Sequence, residues 1–198
     1  MGPKKQAGQA AQLRKLRAEL ARERALRRAA EQSEKEAREQ QAATAEILKV
    51  IAKSPDDVQP VFDAIVAAGK RLLPEFRVAL MLVRDGKLHY VAHAGVTARR
   101  RALFAKRFPV LPIDTQTVVG TAVVRKRVVV VADILAKGLP YKGSRVTSQA
   151  IGWRAMLGVP LMREGKALGA LGVSRATPGP YTDRQVRIAQ TLDRKSVV

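Results

Sequence analysis

The chain has 198 residues, 46% of them hydrophobic, which is enough for one globular domain and an appended segment. No apolar run approaches the ~18 residues that a membrane-spanning helix needs, and the first residues lack the apolar core of a secretion signal, so we expect a cytoplasmic protein that does not contact a membrane. The absence of cysteine excludes disulfides, thiolate metal sites, cysteine nucleophiles and thioether-linked chromophores.

The formal net charge of +20 does not by itself predict a nucleic-acid partner. Residues 1–53 carry 13 Lys and Arg against 7 Glu, and residues 54–198 carry 24 Lys and Arg against 10 Asp and Glu. Nucleic-acid binders usually concentrate their basic residues and interleave aromatic ones, whereas here the basic residues are scattered and aromatic residues make up 4%. A solvated basic surface is favoured, and a nucleic-acid-associated protein that uses its N-terminal helix is the less favoured alternative.

Residues 1–53 are predicted to form a long helix with disordered first residues, because Ala, Arg, Glu, Gln and Leu dominate the stretch and are strong helix formers. Apolar residues at spacings of three and four favour a dimeric coiled coil over a lone solvated helix. The predicted seam comprises Leu13, Leu16, Leu20, Thr44, Ile47 and Ile51. The centre of this seam is small and polar, so we expect a weak coiled coil that relays a shift or rotation.

Residues 54–192 are predicted to form the globular domain. Ser54-Pro55-Asp56-Asp57 ends the first helix and caps a second over residues 58–73. Asp85-Gly86 predicts the turn of a hairpin between strands at residues 76–83 and 88–93. Helices at residues 97–107 and 115–125 follow, then a short strand at 128–131 and a loop over 133–150.

A second hairpin, with strands at residues 155–162 and 167–174, is the strongest structural signal, and Gly165 supplies the positive φ of its turn. Both faces of its strands are apolar, so helices should cover one face and a pocket or partner the other. Gly169 and Gly172 leave room for a close approach to the backbone. Thr182 or Asp183 caps a final helix, and the order of elements predicts an α+β fold around a central antiparallel sheet.

The segments GWRAMLGVPLMREGKALGALGVSR and PGPYTDRQV, in this order of elements, resemble a GAF domain. More narrowly, they resemble the GAF modules of bacterial hybrid sensor histidine kinases, with some nucleotide cyclases as a second source. Residues 39–66 are similar to the segment that leads into such modules. The resemblance implies six antiparallel strands with a small-molecule or chromophore pocket on one face. It further implies helices on the other face that take part in dimerisation and pass a signal along coaxial helices.

The resemblance leaves the cofactor unknown. GAF domains that bind cyclic nucleotides often carry an Asn-Lys…Phe…Asp-Glu signature, which this chain lacks, and covalent bilin attachment needs a cysteine that is also absent. A ligand-free module that only dimerises and relays a signal therefore stays open as an alternative.

Candidate pocket residues are His89, Val91, Tyr141, Arg145, Trp153 and Arg154. Arginine forks at these positions could bind an anion, although solvated surface arginines are favoured, and Trp153 is favoured as a packing anchor over a stacking platform. His89 and His93 should share one face of a strand about 13 Å apart, too far for one zinc ion. No metal site and no catalytic set is predicted, since the chain has no Gly-Lys-Ser/Thr phosphate loop, His-Glu-x-x-His or Gly-x-Ser-x-Gly.

Residues 193–198, Asp-Arg-Lys-Ser-Val-Val, differ from the apolar helical continuation that the resemblance implies. One reading frame of a widely used sequencing adapter encodes this hexapeptide, so we expect a non-native tail on a truncated fragment, which resequencing of the locus would test. The expected protein is a non-enzymatic sensory GAF module from a two-component histidine kinase or a nucleotide cyclase. We expect it to form a homodimer through its helices.

Overall fold

The computed structural model describes residues 3–53 and 57–195, and the chain divides into two compact units, Met1–Ala42 and Ala43–Val198. Helix α1, Pro3–Lys53, is the element of the first unit. Nearly every side chain described there is exposed, and pairs one turn apart join Arg38 to Glu34 at 2.6 Å and Gln32 to Glu36 at 2.8 Å. This part of α1 is therefore a solvated helix held by local pairs rather than by burial.

The second unit contains five further helices and six strands within the described residues. In chain order they are α2 (Gln59–Leu72), β1 (Arg77–Arg84), β2 (Lys87–Ala94), α3 (Ala98–Arg107), β3 (Val110–Pro112), α4 (Val118–Arg125), β4 (Val129–Val131), α5 (Lys142–Ile151), β5 (Ala155–Arg163), β6 (Lys166–Arg175) and α6 (Asp183–Lys195). The strands form one antiparallel sheet in the order β3-β2-β1-β6-β5-β4. The predicted α+β fold is confirmed.

Two short turns close the hairpins of the sheet. Asp85 and Gly86 have φ values of 49° and 68°, and Glu164 and Gly165 have values of 49° and 75°. Positive φ at both central residues is the geometry of the type I′ turn, whose twist matches that of paired strands. Both predicted hairpins, and the role of Gly165, are therefore present in the structure.

Helices cover one face of the sheet, which we call the helix face. α2, α6 and the end of α1 pack there on the apolar side chains of β1, β5 and β6. Ala43 and Ile47 of α1 belong to this core, and Glu46 pairs with Arg71 of α2 at 2.7 Å. The compact unit thus begins at Ala43, whereas the boundary predicted from sequence follows the end of the helix at residue 53.

The side chains of the predicted dimer seam do not form one continuous exposed stripe. Leu16 and Leu20 are 59% and 46% exposed, but Ile47 is 1% exposed because it fills the core of its own chain and is not available to a second one. Thr44 is half-buried, and the side chains of Leu13 and Ile51 lie outside those that the structure describes. Among the seam side chains that the structure describes, Leu16 and Leu20 are therefore the exposed ones that a partner helix could contact.

Two elements were missed from the sequence. The predicted loop over residues 133–150 ends in helix α5, whose buried face carries Ser144, Thr147 and Ser148 instead of an apolar stripe. Their hydroxyls bond to backbone: Ser144 Oγ accepts from the Val118 N–H at 2.9 Å and Ser148 Oγ donates to the Trp153 carbonyl. The second element, β3, is only three residues long and pairs with β2 at the sheet edge.

The last helix begins as predicted. Thr182 Oγ1 accepts a hydrogen bond from the Gln185 N–H at 3.2 Å, and Gln185 Oε1 accepts one from the Thr182 N–H at 2.9 Å, so the two residues form a reciprocal capping box. The predicted break at residues 54–56 and the last three residues of the predicted tail, 196–198, lie outside the described residues.

Candidate functional site

The face of the sheet opposite the helix face bounds a partly open cavity of about 90 Å³, which α3, α4 and α5 also line. On the same measure one water molecule needs roughly 10–15 Å³. The space therefore has room for several waters or for a small organic molecule. It is the candidate ligand-binding site.

Small residues create the floor of the cavity. Ala79 on β1 lies directly opposite Gly172 on β6, and both line the cavity. A Cβ atom built on Gly172 would lie 3.4 Å from Met81 Cε and from Val119 Cγ1, so the space above the glycine is open to about one methyl group. Larger side chains at these two positions would fill the cavity.

Aromatic and sulfur-containing side chains form part of the wall. Tyr90 and Phe104 meet edge to face with ring centroids 4.5 Å apart, and Trp153 is 1% exposed. Met81 and Met156 also line the cavity. Methionine is flexible and polarizable, so this wall can adapt to ligands of different shape.

Three basic side chains line the cavity: Arg77, His93 and Arg101. Arg77 Nη1 donates to the carbonyls of Ile151 and Gly152 at 2.9 and 3.0 Å, which ties β1 to the end of α5. Burial, and secondarily the charge of Arg100, lowers the pKa of Arg77. Burial, with the charge of Arg101 added, lowers the pKa of His93, and Asp63 partly opposes this. At neutral pH the imidazole of His93 is therefore neutral, whereas guanidinium groups stay charged in proteins.

Hydroxyl groups at the start of α4 and along α5 form hydrogen bonds with backbone groups of the chain. Thr117 Oγ1 accepts from the Gly120 N–H at 3.0 Å and caps α4, and Thr147 Oγ1 donates to the Ser144 carbonyl at 3.0 Å. Ser174 differs, because its side chain is buried and lines the cavity but forms no hydrogen bond with the described part of the chain.

A bulge in β2 separates the two histidines. Leu80 pairs with Ala92 and Met81 pairs with Tyr90, so Val91 is an extra residue and the alternation of faces reverses there. His93 reaches the cavity, whereas His89 pairs with Leu82, which packs in the core of the helix face. The prediction that the two histidines share a face is wrong for this reason. His89 Nε2 is buried and has no hydrogen-bond partner among the residues that the structure describes.

Of the six candidate pocket residues, the structure brings Trp153 to the cavity and places the others elsewhere. His89 and Val91 lie toward the helix face, where the Val91 carbonyl accepts from Gln59 Nε2 at 2.8 Å. Tyr141 packs in the cluster that surrounds Ile134. A regular strand alternation does not give the positions of the two histidines, because of the bulge in β2.

The two candidate arginines hold the segment between β4 and α5. Arg154 Nε and Nη2 donate to the two carboxylate oxygens of Asp133 at 2.8 and 2.6 Å, and this fork holds the pKa of the Asp133 carboxyl below its usual range. Arg145 donates to the Ala136 carbonyl. Sequence reasoning missed Arg77, Arg101 and Phe104; a signal was available in α3, where Arg101 and Phe104 are three residues apart and so share a helix face.

Neither a membrane-spanning helix nor a metal site is present in the described part of the chain. No helix there is long and apolar enough to cross a membrane. No group of three or more His, Asp or Glu side chains could hold a metal ion.

The sequence model of the GAF domain family matches residues 55–192. The fold is similar to that of a methyl-accepting chemotaxis protein fragment, with a TM-score of 0.63, 19% identity, and coverage of 78% of this chain and 92% of that one. It is also similar to the GAF domain of an Acinetobacter phosphoenolpyruvate-protein phosphotransferase, with a TM-score of 0.59, 16% identity, and coverage of 79% and 89%.

A third similar structure is a domain of a Sinorhizobium meliloti protein described as a two-component sensor histidine kinase, with a TM-score of 0.54, 17% identity, and coverage of 71% of this chain and 88% of that one. At these identities the likeness shows the fold alone. No curated protein matches the chain.

Proposed function

The chain belongs to the GAF domain family of sensory and regulatory modules, and we propose that it is the input module of a bacterial sensor histidine kinase, which binds a small molecule and relays its presence through a helical homodimer. One observation carries this proposal. The cavity lies on one face of the sheet, and the end of α1 is built into the core on the other face of the same strands.

Strand β1 is the element through which the two faces would communicate. Ala79 and Met81 line the cavity, whereas Leu80, between them, is buried in the core that also contains Ile47 of α1. A ligand that favours one packing of β1 would shift the population of the core arrangement on the helix face, and α1 would report that shift.

A regulatory role is favoured over a catalytic one by the chemistry of the cavity. The cavity contains one histidine and no carboxylate, so it lacks the paired groups that acid–base catalysis uses. The candidate chemistry is recognition, with polar groups that orient a ligand on an apolar wall.

A thermal-shift screen of the full chain is expected to identify one stabilising chemical class among cyclic nucleotides, haem, tetrapyrroles, small organic acids and aromatic metabolites. A ligand at 100 times its dissociation constant adds about 2.7 kcal/mol to the free energy of unfolding. A concentration-dependent rise of the melting temperature with one class supports the sensor. A flat screen on a cooperatively folding chain would favour the ligand-free relay module instead.

A nucleic-acid-associated role is the remaining alternative, favoured only by the net charge of +20. It requires salt-dependent binding, because neutralised phosphates release counterions. Failure to bind a mixed-sequence duplex at low salt would remove it.

The double substitution Leu16→Glu and Leu20→Glu is expected to convert the proposed homodimer into a monomer. Both leucines are exposed on α1, one turn apart, and charged residues at the centre of a coiled-coil seam are destabilising. Analytical ultracentrifugation measures the change of mass.

Ala18→Glu is the control for that experiment. Ala18 is exposed on the same helix but lies two residues from both Leu16 and Leu20, outside the spacing of three and four that defines the seam. It should leave the dimer intact. A wild-type chain that sediments as a monomer at every concentration would contradict the proposed dimer directly.

A further inference from the structure

The cavity contains positive charge without a compensating carboxylate. Arg77 is half-buried and Arg101 stands at the mouth, yet no Asp or Glu is among the lining residues. The bonds of Arg77 to Ile151 and Gly152 both come from Nη1, and Arg101 forms no hydrogen bond or ion pair within the described chain. A guanidinium has five N–H donors, so Arg77 keeps Nε and Nη2 for another acceptor.

A hydroxyl donor lies beside Arg77. Ser174 of β6 is directly opposite Arg77 of β1 in the ladder, and directly opposed side chains lie about 5 Å apart at their Cβ atoms. Ser174 is 6% exposed and lines the cavity. A ligand in the cavity could accept a hydrogen bond from its hydroxyl and compensate the charge of Arg77 at the same time.

The size of the cavity limits the rest of the ligand. An apolar cavity of about 150 Å³ accepts benzene, whereas this one measures about 90 Å³. The floor at Ala79 and Gly172 and the wall at Met156 are apolar. The enclosed volume therefore suits an apolar body of about three carbons, and the anionic head would lie at the open end of the cavity, beside Arg77 and Ser174.

We infer that the cavity binds a short-chain monocarboxylate, with the carboxylate held by Arg77 and Ser174 beneath Arg101 and the alkyl body on the Ala79–Gly172 floor. The inference rests on the proposed function, since it names the ligand class of the same site. A carboxylate fits these donors because one of its two oxygens can accept from a guanidinium N–H and the other from the adjacent hydroxyl.

Titration calorimetry of the full chain with butyrate and with butyramide tests the inference. The two molecules share a propyl body and differ in the charge of the head. We expect butyrate to bind at least about tenfold more tightly than butyramide, because hydrogen bonds to a charged group are stronger than those to a neutral one.

Two variants locate the head of the ligand. Ser174→Ala should weaken butyrate binding about threefold to tenfold through the loss of one hydrogen bond, and Arg101→Gln should weaken it through the loss of charge at the mouth. Arg99→Gln, on the same helix but outside the cavity lining, is the control and should bind as the wild type does. Both sites tolerate these changes, since Arg101 is exposed and Ser174→Ala removes one atom.

The outcomes separate the inference from the function on which it rests. Equal or tighter binding of butyramide, or a preference for methylphosphonate over butyrate, would overturn the carboxylate class while a small-molecule sensor stands. Unchanged butyrate affinity in both variants would overturn the location. If butyrate fails to bind, the inference is rejected, and the broader thermal-shift screen still decides whether another class binds.

Discussion

Replacing Gly169 with alanine is expected to lower the free energy of unfolding by about 3 kcal/mol, the upper end of the usual cost of overpacking. The same substitution at Gly172, three residues along β6, is expected to raise it by about 0.5 kcal/mol. The two changes add the same methyl group to the same strand. They differ in what the methyl group meets.

At Gly169 the added Cβ would lie 2.1 Å from the Met81 carbonyl oxygen and 3.0 Å from Leu82 Cα. Both are backbone atoms of β1, which pairs with β6 at the centre of the sheet, so the clash can be relieved only by separating the strands. At Gly172 the nearest atoms are side-chain methyl groups at 3.4 Å, an ordinary contact. There alanine reduces the conformational entropy of the unfolded chain and fills part of the cavity.

Urea denaturation of the wild type and both variants measures the difference, with the slope compared to check that the transition stays two-state. If Gly169→Ala is as stable as the wild type, the close pairing of β1 and β6 described here is incorrect. If Gly172→Ala costs as much as Gly169→Ala, the space above Gly172 is not open. Gly172→Ala should also bind butyrate more weakly, since its added methyl group occupies the floor of the cavity.

Local sequence does not distinguish these two glycines, because both interrupt the same apolar run. Their difference depends on β1, which is about 90 residues earlier in the chain, and on where β1 registers against β6. Local signals did predict both hairpins, since Asp85-Gly86 and Glu164-Gly165 have the residue types that their turns need. Properties that depend on pairing between distant strands had no such local signal.

The bulge at Val91 explains why the histidines were placed incorrectly. One extra residue in β2 reverses every later side chain, and Val91 has the composition of an ordinary strand residue. Helix α5 was not predicted from the sequence for a different reason. Its buried face is hydroxylic, so the apolar period that reveals amphipathic helices is absent.

The candidate site shows the same limit. Trp153 was identified because a large aromatic residue at a strand entrance is conspicuous, and it does line the cavity. The arginines flanking the second hairpin were also conspicuous, but Arg154 is held by Asp133 and Arg145 by a backbone carbonyl. The arginines that line the cavity, Arg77 and Arg101, come from β1 and α3. Only the folded sheet brings them together with Ser174.

Trp153→Ala is expected to lower the free energy of unfolding by about 3–5 kcal/mol, the range for deleting a buried tryptophan. Trp153 is 1% exposed and packs with Val118 and Ile134. Its carbonyl accepts from Ser148 Oγ, so its position also holds the end of α5. Trp153→Phe should cost less, because it retains an aromatic ring.

Far-UV circular dichroism during urea denaturation measures these losses, since the variants lack the chain's single tryptophan and its fluorescence. The substitution to alanine also enlarges the cavity, because Trp153 lines it. Apolar cavities bind small aromatic molecules that fill them, so indole should restore part of the stability of Trp153→Ala and leave the wild type unchanged. A loss without rescue by indole would mean that the core collapses into the space. Trp153 would then support the helices above the cavity rather than set its volume.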